Sequence, residues 1–298
     1  MNVYNSEQNF LGIDENLSSY DQSKVVIQQL PYEHTSSYQE GSKHGPKAII
    51  EASHFVEFYD EELDQETFKQ LGIATLEPVS FGNAIDQDAI KLIEDATNTH
   101  IANNKFVVSF GAEHTVTFGI FKAFHNLDQT VSIIQIDAHS DLRESYNNNK
   151  YSHASVMARI NELNVKISQV GIRAQCVEEA NLIKSSSNIQ TFYAHQLDNV
   201  STVVESILAH TTENVYITID ADGLDPSIVP GVGTPEPGGL DYMKTLTLLN
   251  GICSRKNVVG FDIVECAPID GQIQSQYVLA KLAYKVLGYC TLNTNNFK

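Results

Sequence analysis

Cations are scarce in this chain: 19 Lys and Arg stand against 37 Asp and Glu, a formal net charge of −18. That balance disfavours nucleic acid or an anionic membrane as a partner, because both demand clustered positive charge. It favours a cationic substrate, although solubility alone accounts for most of such an excess. The four cysteines, Cys176, Cys253, Cys266 and Cys290, are far apart and form no C-x-x-C pair, which argues against zinc or dithiol chemistry and for free, buried thiols. No apolar run reaches the roughly 20 residues that span a bilayer. The first residues lack the basic-then-apolar layout of a secretory leader, so a cytoplasmic protein is expected. Internal repeats and Gly/Ser/Pro-rich linkers are also missing, so residues 1–298 are expected to form one domain. Its polar, aperiodic arm, residues 1–23, is expected on the surface or at a subunit contact.

What remains is a chain of 298 residues with 42% hydrophobic content, enough to bury a large core. Apolar, β-branched runs at 24–30, 106–110, 133–136, 165–170, 189–192, 214–219 and 258–264 read as strands. Helical patterns at 47–53, 86–103 and 115–125 separate some of them. Strands alternating with helices predict an α/β fold of about seven or eight strands, mostly parallel, with helices on both faces. In such sheets ligands bind at the carboxyl ends of the strands.

Three strand ends carry chemistry. The run from Ile133 ends in Asp137-Ala-His139-Ser-Asp141, three metal-capable side chains at alternate positions. In an extended chain such residues share a face, so they can aim at one point. Standing alone, the pattern is equally an ordinary strand end with a polar turn. The run from Asn214 repeats the design with Asp220-Ala-Asp222, and the run from Phe106 ends in Gly111-Ala-Glu113-His114-Thr115. Two histidines and four aspartates form a hard N/O set that suits Mn²⁺ better than a thiolate-loving metal, with Co²⁺ and Ni²⁺ as alternatives. Four packed carboxylates call for two divalent cations, and such a pair can share and ionise one water.

These motifs resemble the three signatures of the ureohydrolases, the arginase and agmatinase family, from about Pro31 to the last helix. The resemblance implies a three-layer α/β/α sandwich with an eight-stranded sheet. It also implies one Mn²⁺ on His114, Asp137, Asp141 and Asp220, and a second on Asp137, His139, Asp220 and Asp222. His153 matches the family's proton-relay histidine, and imidazole is the side chain suited to that task near neutral pH. Ala154 stands where the family usually has glycine. Glu265 matches the carboxylate that grips the guanidinium, a role its forked acceptor geometry suits. Thr234 and Glu236, in a Gly/Pro-rich loop, are expected to line the substrate channel. Glu113 is either an orienting partner for a ligand or an exposed turn acid. The remaining histidines are read as structural. Assembly into trimers or hexamers is a further implication of the resemblance.

The expected reaction is hydrolysis of a guanidino compound to urea and an amine, with Asp141 holding the attacking hydroxide. Arg143 occupies a position where arginases carry Asn, while residues 141–146 and 234–239 are similar to agmatinases. Agmatine is therefore the favoured substrate, and an acidic mouth would suit its distal amine. Aminopropylagmatine, guanidinobutyrate and arginine are the rivals. A catalytically silent metal-binding subunit is the alternative of another class, and the complete set of ligands argues against it.

Overall fold

The protein is described here by a computed structural model covering residues 2–127, 130–293 and 295–297. Its eight strands are β1 (Val25–Leu30), β2 (Ile73–Thr75), β3 (Phe106–Gly111), β4 (Ser132–Ile136), β5 (Ile167–Ile172), β6 (Ile189–Tyr193), β7 (Asn214–Asp220) and β8 (Asn257–Val264). They form one sheet in the order β2-β1-β3-β8-β7-β4-β5-β6, with every neighbouring pair parallel. The helices are α1 (Glu15–Ser18), α2 (Gly45–Ser53), α3 (Thr67–Leu71), α4 (Asp86–Ala102), α5 (Val116–His125), α6 (Val156–Asn161), α7 (Val177–Ser185), α8 (Val200–His210), α9 (Tyr242–Cys253) and α10 (Gln274–Thr291).

Burial on both faces explains why the strands read as continuous apolar runs rather than alternating ones. Alternate residues feed two separate cores. Val25, Ile27, Val108, Ile134 and Ile217 join α2, α3, α8, α9 and α10 on one face. Val26, Val107, Ile133 and Tyr216 join α4, α5 and α6 on the other. The expected three layers follow. Truncating one of these side chains, as in Ile134→Ala, would cost about 2–5 kcal/mol through lost transfer energy and the cavity left behind.

The amino-terminal segment departs from expectation. Phe10, Leu11 and Ile13 are buried, and the Phe10 ring lies 5.7 Å from that of Phe110 on β3. The Asn9 side chain accepts the Ile13 N–H and donates to the Ile13 carbonyl, closing a tight loop in which Leu11 is left-handed (φ 71°). Residues 9–13 are therefore a plug in the core and not a surface arm. Met1 of that arm lies outside the described residues. β2, a three-residue edge strand beside β1, is a further element beyond the expected strands, too short to show a period in sequence.

The four central strands end at one level. Ile136 of β4 pairs with Ile219 of β7, Asp220 of β7 with Val264 of β8, and Ile263 of β8 with Phe110 of β3. That register puts the three motifs and Glu265 side by side at one rim of the sheet.

Candidate metal centre and substrate cavity

Asp137 and Asp220 leave adjacent strands and make the same local turn. Each accepts the N–H two residues on: Asp137 from His139 at 2.6 Å, Asp220 from Asp222 at 2.9 Å. Such Asx turns bend the chain back, so the ligands converge through turn geometry rather than along a straight strand. Asp141 completes the bend with left-handed backbone (φ 52°), and Glu265 leaves β8 with φ 62°. Non-glycine residues seldom hold that conformation, and it costs energy that the surrounding structure must supply. Gly223 permits the close approach of the two turns, since a Cβ there would lie 2.8 Å from the Asp137 backbone nitrogen.

The result is a tight, buried cluster. His114 Nδ1 lies 3.0 Å from Asp141 Oδ2, 3.1 Å from Asp137 Oδ2 and 3.3 Å from Asp220 Oδ2. His139 Nδ1 lies 2.9 Å from Asp222 Oδ2 and 3.8 Å from Asp137 Oδ1. Two groups that could each hold a metal ion emerge, His114 with Asp137 and Asp141, and Asp137 with His139 and Asp222. Asp137 belongs to both.

Electrostatics make this arrangement unfavourable without cations. Burial and the nearby Asp141 and Asp222 push Asp137 up to about 7. Burial, with Asp222 and Asp137 beside it, likewise raises Asp220 well above the usual carboxylate range. Burial opposes charge on the imidazoles, yet their aspartate neighbours win, raising His114 strongly and His139 to about 11. Packed this closely, the carboxylates need either protons or bound cations to balance their charge. His114 Nδ1 nevertheless satisfies hydrogen-bond geometry with none of its three carboxylates, although it is buried. A buried nitrogen ringed by acidic oxygens without a hydrogen bond is what a metal ligand looks like, and the donor set fits divalent ions.

The other nitrogen of His114 is anchored from behind. Nε2 meets Thr218 Oγ1 at 2.9 Å, and Thr218 donates to buried Asp262, which also accepts from Thr117 and Tyr216. This orients the ring with Nδ1 towards the aspartates. Asp262, an acid within the apolar run of β8, is the sequence's visible sign of this buried anchor, although no motif includes it.

A cavity of about 190 Å³ opens over the cluster, and Asp141, Asp220, Asp222, His139, His153, Thr234 and Glu265 all line it. Glu265 Oε1 accepts the His114 N–H at 2.7 Å, fixing the carboxyl in the cavity wall. Burial and Glu113 raise its pKa well above the usual range, a shift that a cation in the pocket would reverse. The outer wall comes from Ser36, Ser37, Tyr38, Gln39, Arg143, Tyr146 and Gly233. Two expectations change here. The rim is neutral apart from Arg143, so the anticipated acidic mouth is absent among the described lining residues. Glu236 is not one of them either: its carbonyl accepts from Arg173, which ties that loop to the sheet. Glu113 is no exposed turn acid, for it is fully buried and accepts from the His34 and Thr35 backbone and the Thr35 hydroxyl.

Comparison with known proteins matches residues 23–288 to the arginase family. The chain belongs to the arginase family. It is 41% identical over 281 residues to an N(1)-aminopropylagmatine ureohydrolase of Synechocystis sp., covering 92% of each chain. Identity to an agmatinase of Halalkalibacterium halodurans is 35% over 258 residues, covering 84% of this chain and 86% of that one. Among solved structures, the agmatine ureohydrolase of Thermoplasma volcanium superposes with a TM-score of 0.83 at 29% identity, covering 93% of both chains.

Proposed function

We propose that this family member is a manganese-dependent ureohydrolase that splits a guanidino compound of the agmatine type into urea and an amine. The observation that carries the reading is the convergence of His114, Asp137, Asp141, Asp220, His139 and Asp222 at a cavity that Glu265 also lines. His114, Asp137, Asp141 and Asp220 would hold one Mn²⁺, and Asp137, His139, Asp220 and Asp222 would hold a second. When bound, such ions supply charge stabilisation and a hydroxide near neutral pH.

The protein's own groups do the rest. Glu265, held by the His114 amide, accepts guanidinium N–H donors and sets the planar carbon over the cluster. Asp141 accepts the nucleophile's hydrogen and orients its lone pair. His153, at the cavity wall, gives a proton to the departing amine and recovers one from solvent.

For the substrate we propose N1-aminopropylagmatine ahead of agmatine, reversing the order that motifs alone suggested. The greater identity to the Synechocystis enzyme than to the H. halodurans agmatinase supports this order. A neutral rim is compatible with either. Urea release from both compounds, from 4-guanidinobutyrate and from arginine tests the reading. A preference for either carboxylate-bearing compound would sink it. We also propose a cytoplasmic homo-oligomer, for which exposed Phe55 on the turn after α2 and Ile273 at the start of α10 offer an apolar contact face.

A further inference from the structure

His153 reaches the cavity wall on a one-turn 3-10 segment, His153–Ser155, that leads into α6. A proton carrier needs its ring fixed, with a known nitrogen facing the substrate, yet nothing within its own segment does this. The fixing group comes from the loop after β1. The Thr35 hydroxyl lies 3.0 Å from His153 Nδ1, accepts the His153 backbone N–H at 3.0 Å, and is 3.1 Å from Glu113 Oε2. Tyr146 closes the other side of the ring edge-on, with centroids 5.9 Å apart.

Counting donors assigns the protons. Glu113 Oε2 already accepts the His34 and Thr35 backbone N–H groups, at 3.0 and 2.6 Å, and so acts as an acceptor towards the hydroxyl as well. With its one proton directed to that oxygen, the hydroxyl can only accept from His153. Nδ1 therefore carries the ring hydrogen, and Nε2 is the nitrogen left to exchange protons with substrate and solvent. We propose that Thr35 is the positioning residue that sets the tautomer and orientation of His153, linking the rim loop to the proton-transfer step.

The inference rests on the His153 role proposed above, and the experiment separates the two. Thr35→Val keeps the side chain's shape and removes the hydroxyl, whereas Thr35→Ser retains it. Each is assayed in the manganese-loaded enzyme, with whichever of N1-aminopropylagmatine and agmatine is turned over faster. Losing one hydrogen bond that fixes a reacting group predicts that Thr35→Val lowers kcat about tenfold, with KM and bound manganese unchanged. Thr35→Ser should recover most of the loss. Combined with His153→Asn, Thr35→Val should lower kcat no further, because its effect runs through that ring. Full kcat in Thr35→Val alongside a crippled His153→Asn, or an additive double variant, would overturn the proposal alone. Full kcat in His153→Asn would overturn the underlying reading.

Discussion

The floor and the rim of the cavity are built in opposite ways. The floor consists of Asp137, Asp220, His114 and their neighbours, projected from the ends of adjacent central strands whose register is fixed by two apolar cores. The rim consists of Ser36, Ser37, Tyr38, Gln39, Tyr146 and Thr234, set on loops, with Arg143 its sole charge among the described lining residues. The floor groups sit on short turns braced directly by the strand ends, while the rim groups sit on longer loops, the usual place for residues that vary with substrate. The difference also locates the acid: the carboxylates lining the cavity are gathered around the cluster and at Glu265, so a net charge of −18 says little about the entrance.

That contrast can be broken first at the floor. Asp137 belongs to both candidate metal-holding groups, so in Asp137→Ala manganese affinity should fall by more than about 100-fold, beyond the 10–100-fold typical of supporting residues. Equilibrium metal binding checks this, and near-normal affinity would contradict the shared role. Glu265→Gln should leave metal content intact and lower kcat/KM by about 10²–10³, the size expected when a positioned charge at the reacting centre is lost.

Proton linkage offers a milder perturbation. In the metal-free protein Asp137 is raised to about 7 by burial and its acidic neighbours, and His139 to about 11, where Asp222 and the other aspartates overcome burial. Both must shed protons to act as ligands, so manganese binding should release protons and tighten as pH rises through neutrality. Calorimetry in buffers of differing ionisation enthalpy measures the release; binding without it would contradict this account. Smallest of all, Tyr146→Ala at the rim should change turnover by less than about tenfold, altering the ratio between N1-aminopropylagmatine and agmatine more than the metal content.

The floor was legible in sequence because each strand's contribution is contiguous: Asp137, His139 and Asp141 announce themselves within five residues, as do Asp220 and Asp222 within three. The bend that unites them was not, since left-handed Asp141 and the two Asx turns leave no periodic trace. Thr35 was hidden for a different reason. It is an ordinary polar loop residue until the fold brings it to His153, 118 positions away. Glu236 shows the converse, a suggestive acid whose loop is turned by Arg173. The plug at Phe10, Leu11 and Ile13 was masked because three apolar residues among polar ones show neither helical nor strand period.

The most direct test of the whole account is the number of manganese ions bound per chain, titrated into the apo protein and followed against urea release. Two ions per chain, with turnover appearing only as the cluster fills, is the predicted result. Saturation at one ion, or full turnover in metal-free protein, would contradict it.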